Sequence, residues 1–181
     1  MYYVRIILLL FMLISFPFAK SGSQYEIKQD LLNYLNSIRN KGTMCSLPIK
    51  AFKWNNNLER SSDVHAIDMA LNRYLAHHGS GTSYDIVGAS LGKPSSFIDR
   101  IKYFGFTFEQ GIIIGEVLSK VSTKYSKRND VIPNYKIAVQ RWISDSKHCK
   151  ILMNNRFSDI GISYYIQNGT YYFVMNLGEI K

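Results

Sequence analysis

Two segments carry apolar residues at helical spacing, which predicts two amphipathic helices. The first runs from Tyr25 to about Asn40, and Gly42 can end it. The second runs from about Asn57 to Leu75. The residues expected to be buried are Ile27, Leu31, Leu35 and Ile38 in the first helix, and Val64, Ile67, Leu71 and Tyr74 in the second.

Two further helices are indicated by their starting residues. Ser95 or Ser96 can cap a short helix through Phe104, and Pro133 can open another that ends near Ser146. The residues expected to face inward are Phe97, Ile98 and Ile101 in the short helix, and Ile137, Ala138 and Trp142 in the later one.

Extended segments alternate with these helices. Residues 53–55 form a short extended approach to the second helix, and residues 111–118 have the β-branched density of a buried strand. Asn168-Gly169 is typical of a two-residue type I′ hairpin turn. This turn pairs Ile166 with Tyr171, Tyr164 with Phe173, Ile162 with Met175, and Ile160 with Leu177. The order of elements predicts an α+β fold of packed layers, with one domain over residues 24–178.

The N-terminus has the layout of a secretory signal peptide. Arg5 precedes an apolar run from Ile6 to Phe18, and small residues such as Ala19 and Ser21 follow. About 13 apolar residues fall short of the roughly 20 that a transmembrane helix needs. We therefore expect residues 1–21 to be a signal peptide and the protein to be secreted or periplasmic; the alternative is an uncleaved membrane anchor.

The chain is basic, with 22 Lys and Arg against 13 Asp and Glu. Loss of residues 1–21 would remove Arg5 and Lys20 and leave 20 basic against 13 acidic residues, a net charge of +7. Such an excess favours partners of anionic character, such as lipid, glycan or a surface polymer. No nucleic-acid-binding motif is present, so nucleic acid is not an expected partner.

The two cysteines, Cys45 and Cys149, leave two interpretations open. In an exported chain an even count favours a disulfide, and with two cysteines only one pairing exists. The alternative is two separate buried thiols.

Familiar hydrolase and redox signatures are missing, which lowers the expectation of a strong enzyme. The sequence has no His-Glu-x-x-His motif, phosphate-binding glycine loop, serine nucleophile elbow or C-x-x-C pair. What remains is a dispersed set of candidates: His77, Glu116, Asp145 and His148. Such imidazoles and carboxylates could hold a divalent cation such as zinc, or make a general acid/base pair. The alternative is separate capping and surface residues.

Several segments, in order, resemble motifs of the CAP superfamily, also called SCP domains: cysteine-rich secretory proteins, antigen 5 and pathogenesis-related proteins. The bacterial secreted branch is the most similar. The segments are 35–39 in the first helix, 52–58 (L-x-W-N-x-x-L), 65–70 (H-A-x-D-M-A), 75–80 (F-S-H-x-G-S), 142–149 (W-x-x-S-x-x-H-C), and the closing strands 159–162 and 171–173.

The resemblance implies a three-layer α-β-α sandwich, with a small antiparallel sheet that ends in the C-terminal hairpin. It also implies a cleft lined by His77, Glu116, Asp145 and His148, and a Cys45–Cys149 disulfide. The sequence departs from the family pattern at Val117, where the family usually has Asn, and at Asp145, where members carry Glu or Ser.

Three functions follow as hypotheses. The first is a secreted binding module for a lipid, glycan or cell-surface partner. The second is a divalent-metal-dependent hydrolase of peptide or cell-envelope substrates. The third is a structural cleft, with function in the surface loops around residues 79–95 and 119–132.

Overall fold

The computed structural model describes residues 24–106, 113–122 and 131–179. The elements in chain order are α1 (Gln24–Lys41), β1 (Lys53–Trp54), α2 (Asn56–Leu71), α3 (Ile86–Leu91), α4 (Phe97–Tyr103), β2 (Ile114–Ser122), α5 (Val131–Ser144), α6 (Ser146–Leu152), β3 (Asp159–Gln167) and β4 (Thr170–Gly178). The expected signal peptide, residues 1–21, lies outside the described residues. None of the helices within the described ranges is long and apolar enough to cross a bilayer.

The four strands form one mixed sheet in the order β1-β3-β4-β2. The two pairings among the long strands, β2 with β4 and β3 with β4, are antiparallel, as expected. The two-residue strand β1 instead runs parallel to β3. The sheet is therefore mixed, with its parallel pair at this edge.

The C-terminal hairpin has the predicted register. Asn168 and Gly169 have φ angles of 47° and 67°, the left-handed values that a type I′ turn requires. All four predicted cross-strand pairs are present: Ile166–Tyr171, Tyr164–Phe173, Ile162–Met175 and Ile160–Leu177. The local turn chemistry and the side-chain alternation thus agree.

Helices cover both faces of the sheet. Alternate residues of β4, such as Phe173 and Met175, share a large apolar core with α1 and α5. The residues between them, Tyr172 and Val174, pack in a second core with Ala66 and Met69 of α2. The α-β-α sandwich is therefore confirmed.

The buried face of α2 differs from the predicted one. Val64, Ile67, Leu71 and Tyr74 are only partly buried, and the most buried residues are instead Leu58, Ser61, Ser62, His65, Ala66, Asp68, Met69 and Ala70. Small side chains such as those of Ser61, Ser62 and Ala66 occupy the sheet-facing side of α2 because the helix and the sheet approach each other very closely. A Cβ added to Gly161 would lie 1.9 Å from the backbone nitrogen of Glu59.

Hydrogen bonds hold this close contact between α2 and the sheet. The Ser62 hydroxyl donates to the Gly161 carbonyl at 2.8 Å. The buried Asn176 amide of β4 donates to the hydroxyls of Ser61 and Ser62, each at 3.1 Å. These bonds offset part of the cost of burying the polar groups of Ser61, Ser62 and Asn176.

Two helix boundaries and the orientation of one residue, Ile98, also differ from expectation. Helix α2 ends at Leu71 rather than Leu75, because Arg73 has a left-handed φ of 58°. Helix α5 ends at Ser144, and Asp145 caps a separate helix α6. Ile98 is exposed, and Arg100 occupies a buried position on α4.

A disulfide and a buried arginine fasten α6 and the chain that follows it. Cys45 and Cys149 are bonded, with Cα atoms 6.3 Å apart. The pairing is therefore confirmed. Arg39 of α1 is fully buried and donates to the carbonyls of Leu152 and Phe157 at either end of the α6–β3 connection.

Gly161→Ala should destabilise the protein by about 1–3 kcal/mol, since the new methyl group meets helix backbone rather than a side chain that can move. Urea unfolding measures the change. Gly92→Asn is the control, because Gly92 has a left-handed φ of 66° and open space around it, and Asn tolerates that backbone region. Equal effects of the two substitutions would contradict the close contact.

Candidate functional site

His77 and Glu116 form the central contact of the candidate site. His77 lies in the loop after α2, and Glu116 lies on β2. The Nδ1 atom of His77 is 2.9 Å from Oε1 of Glu116; the imidazole is 55% exposed and the carboxylate is fully buried. Because a carboxylate only accepts hydrogen bonds, Nδ1 carries the proton. The neutral ring then has its lone pair on Nε2.

Arg100 of α4 holds the other oxygen of Glu116. Its Nη2 donates to Oε2 of Glu116 at 2.9 Å and to the His77 carbonyl at 2.9 Å. Both side chains of this ion pair are almost completely buried. Burial by itself would raise the pKa of Glu116, but the hydrogen bond from His77 and the charge of Arg100 outweigh it and hold that pKa below its usual value.

The sequence analysis did not single out Arg100. One signal was available: an arginine at position 100 lies beside Ile101 and three residues after Phe97, both expected to face inward. A charge on the buried side of a helix needs a buried partner of opposite charge. The pattern could have pointed to an ion pair, but it does not say which acid supplies it.

Asp85 positions Arg100 indirectly, through Ser95. It accepts from the backbone nitrogen and the hydroxyl of Ser95, at 2.9 and 2.7 Å, and the same hydroxyl lies 3.0 Å from Nη1 of Arg100. Burial opposes the charge of Asp85, but these bonds and the one from the Gly88 nitrogen lower its pKa. Gly79 permits this packing, because an added Cβ would lie 2.0 Å from Oδ2 of Asp85.

A third buried carboxylate, Asp68 of α2, orders the loop that carries His77. It accepts from the Tyr74 hydroxyl at 2.5 Å, and from the nitrogen and hydroxyl of Ser80 at 2.9 and 2.5 Å. Burial and the bond to Asp68 raise the pKa of Tyr74. Asp68 therefore holds the chain on both sides of His77, at Tyr74 before it and at Ser80 after it.

His148 and Asp145 form a separate and more exposed pair. Oδ1 of Asp145 accepts from the backbone nitrogens of Lys147 and His148, which makes Asp145 the N-cap of α6. Nδ1 of His148 lies 2.9 Å from the same oxygen, and the two side chains are 37% and 51% exposed. The bond from the His148 nitrogen is the largest cause of the lowered pKa of Asp145.

His65 is a structural residue behind the site. Its Nε2 donates to the Ala76 carbonyl at 2.8 Å, and its Nδ1 is buried without a partner among the described residues. Burial lowers its pKa to about 4. His65 and Asp68 thus serve the same loop through different partners rather than as a pair.

The four predicted residues therefore occur as two His–carboxylate pairs. Within the described ranges, no group of three or more His, Cys, Asp or Glu side chains is arranged to hold a metal ion. The donor set also fits a divalent cation poorly, because both oxygens of Glu116 already accept from His77 and Arg100. That the two pairs line a common cleft stays a prediction.

The fold and site together give a layered α-β-α domain with a disulfide and two His–carboxylate pairs. Residues 32–177 match the model of the cysteine-rich secretory protein family, CAP, and the chain belongs to this family. No curated protein sequence matches the chain.

Solved structures share this fold at low sequence identity. An extracellular SCP-domain protein from Bacillus anthracis has a TM-score of 0.61 at 18% identity over 84% of this chain, which spans 40% of that protein. An outer surface protein from Borrelia burgdorferi has a TM-score of 0.59 at 19% identity, covering 86% of this chain and 94% of its own. Zinc-bound NaASP2 has a TM-score of 0.55 at 14% identity, with coverages of 87% and 81%.

His65 should make the protein less stable as the pH falls from 6.5 towards 4. In that window the unfolded chain protonates this histidine and the folded chain does not, so the unfolded state takes up more protons. The loss should reach at most about 3 kcal/mol and is absent above the window. Urea unfolding at several pH values measures it.

His65→Gln should flatten the stability profile between pH 6.5 and 4. His78→Gln is the matched control, because His78 is exposed, and it should leave the wild-type profile unchanged. Identical profiles for all three proteins would show that His65 is not kept neutral by the fold.

Proposed function

We propose that this CAP protein is an extracytoplasmic binding module for a partner of anionic character, such as a lipid headgroup, a glycan or a surface polymer. In this proposal residues 1–21 are a signal peptide and residues 24–178 are one domain. Extracellular or surface proteins among its structural neighbours support the location, since they share its fold.

The observation that carries the proposal is the segregation of charge. Asp68, Asp85, Glu116 and Asp159 are buried, whereas the buried basic residues among those described are Arg39 and Arg100. Acidic side chains are thus withdrawn from the surface of a chain that has a net charge of +7 without residues 1–21. The remaining surface is more basic than the composition suggests, and it attracts anions.

The hydrolase hypothesis has less support. Zinc in NaASP2 is a property of that protein. In this chain Glu116 is buried and held by two donors, and Asp145 caps a helix. A metal hydrolase usually supplies three protein ligands and an open position, which the described residues do not offer.

The structural-cleft hypothesis is supported by the same contacts. In it the His and acid side chains order the loops, and the surrounding loops bind the partner. Asp68 and Asp85 order the first of these loops, residues 79–95, by accepting hydrogen bonds from Ser80 and Ser95. Of the other proposed loop, residues 123–130 lie outside the described part of the chain. The two hypotheses differ in whether His77 and His148 contact the partner.

Vesicle flotation tests the proposal. The protein should float with vesicles of equal parts phosphatidylcholine and phosphatidylglycerol, and not with phosphatidylcholine alone. Binding should fall several-fold as salt rises from low to physiological concentration, because exposed charges are screened. Heparin-agarose retention under the same salt series is the glycan arm.

The variants separate the candidate roles of the histidines. Binding that survives in His77→Ala/His148→Ala places the contact in the basic surface, and His78→Ala is the matched control. No binding to either anionic probe at any salt concentration would refute the module. Hydrolysis of a peptide or cell-wall substrate that zinc restores and Glu116→Gln abolishes would favour the enzyme instead.

A further inference from the structure

The buried Arg100–Glu116–His77 chain of contacts places a fixed positive charge where a divalent metal would otherwise meet Glu116. The guanidinium donates to Oε2, and the imidazole donates to Oε1. The carboxylate is fully buried, so a cation could reach it only by displacing one of these donors. Displacing Arg100 would leave a buried guanidinium without its counter-charge, which is costly.

We propose that Arg100 is the resident cation of this site, and that it acts through Glu116 to fix His77 with Nδ1 protonated and Nε2 as the free acceptor. Arg100 and Glu116 are positioning residues in this scheme. The atom that they present to a ligand is Nε2 of His77. The inference goes beyond the proposed function, because it holds whether or not the module binds an anionic partner.

The position of Arg100 is itself determined by several independent contacts. Its Nη1 donates to the carbonyl and hydroxyl of Ser95, at 3.2 and 3.0 Å. Ser95 is held in turn by Asp85. The capping box of Ser96 and Asp99 fixes the first turn of α4. The guanidinium is therefore held from its own side and does not depend on Glu116 for its direction.

This geometry requires a hydrogen-bond acceptor at position 116. Arg100 can only donate, so the group that faces it must accept. A carboxylate can accept from Arg100 and His77 together. A glutamine has one oxygen and one NH2 group, and it can accept on one side only.

Glu116→Gln should therefore move the proton of His77. The amide oxygen turns to the buried guanidinium, and the NH2 group faces Nδ1 of His77. Nδ1 must then accept, so the proton shifts to Nε2. Nitrogen-15 NMR of the histidine side chains distinguishes the two tautomers, and the protonated-nitrogen signal of His77 should pass from Nδ1 to Nε2.

Asp145→Asn is the matched control for this tautomer change. Its Oδ1 must still accept from the backbone nitrogens of Lys147 and His148, so the amide keeps its orientation. The signals of His148 and His77 should both keep their wild-type tautomer. A change at His77 in Asp145→Asn would show that the readout responds to any amide substitution, and would overturn the inference.

The double variant Arg100→Met/Glu116→Gln tests whether Arg100 is the cause. Without the guanidinium the glutamine oxygen can turn back to His77, and the Nδ1-protonated tautomer should return. Persistence of the Nε2-protonated form in a folded double variant would refute the role of Arg100. If that variant does not fold, the Glu116→Gln result by itself decides: an unchanged His77 tautomer overturns the proposal.

Native mass spectrometry with added zinc provides the second readout. The wild-type protein should retain no stoichiometric zinc, and Glu116→Gln should not alter this. One zinc per chain in the wild type would show that a divalent cation occupies this site and that Arg100 is not its resident cation. Neither readout uses a vesicle or a glycan, so failure here is distinct from failure of the binding proposal.

Discussion

The buried ion pair between Arg100 and Glu116 is the contact on which the candidate site depends. It joins α4 to the edge strand β2, and the same guanidinium holds the carbonyl of His77. Separating these two buried charges has a high free-energy cost, because each would be left without water or a partner. Helix, strand and loop are thereby fixed relative to one another, and the imidazole of His77 is held in one orientation.

Other parts of the fold are held by short-range contacts that need small or polar residues. Gly161 lets α2 lie directly on the sheet, and Ser62 satisfies the backbone there. On the opposite side, the disulfide and the buried Arg39 fasten α6 to the first helix and its loop. The apolar cores lie between these contacts, so apolar burial supplies much of the stability while the polar contacts set the spacing.

Among the described residues, four acidic side chains and two arginines are buried in this domain. The CAP fold by itself does not assign a chemistry, since unrelated functions share one architecture. In this chain the central carboxylate, Glu116, is paired with a protein cation, Arg100. The basic surface follows from where the charges are buried, and it is the basis of the proposed anionic partner.

The sequence by itself determined the features that depend on neighbouring residues: the first helix, a serine cap at Ser95 or Ser96, and the Asn168-Gly169 turn with its register. The motifs also indicated the family and the cysteine pairing. Only the tertiary structure decided that Ser61, Ser62 and His65 face the sheet in place of Val64 and Ile67. It alone paired Arg100 with Glu116 and divided the four predicted residues into two pairs. Periodicity reports which residues are apolar, whereas close packing and buried charge depend on groups far apart in the chain.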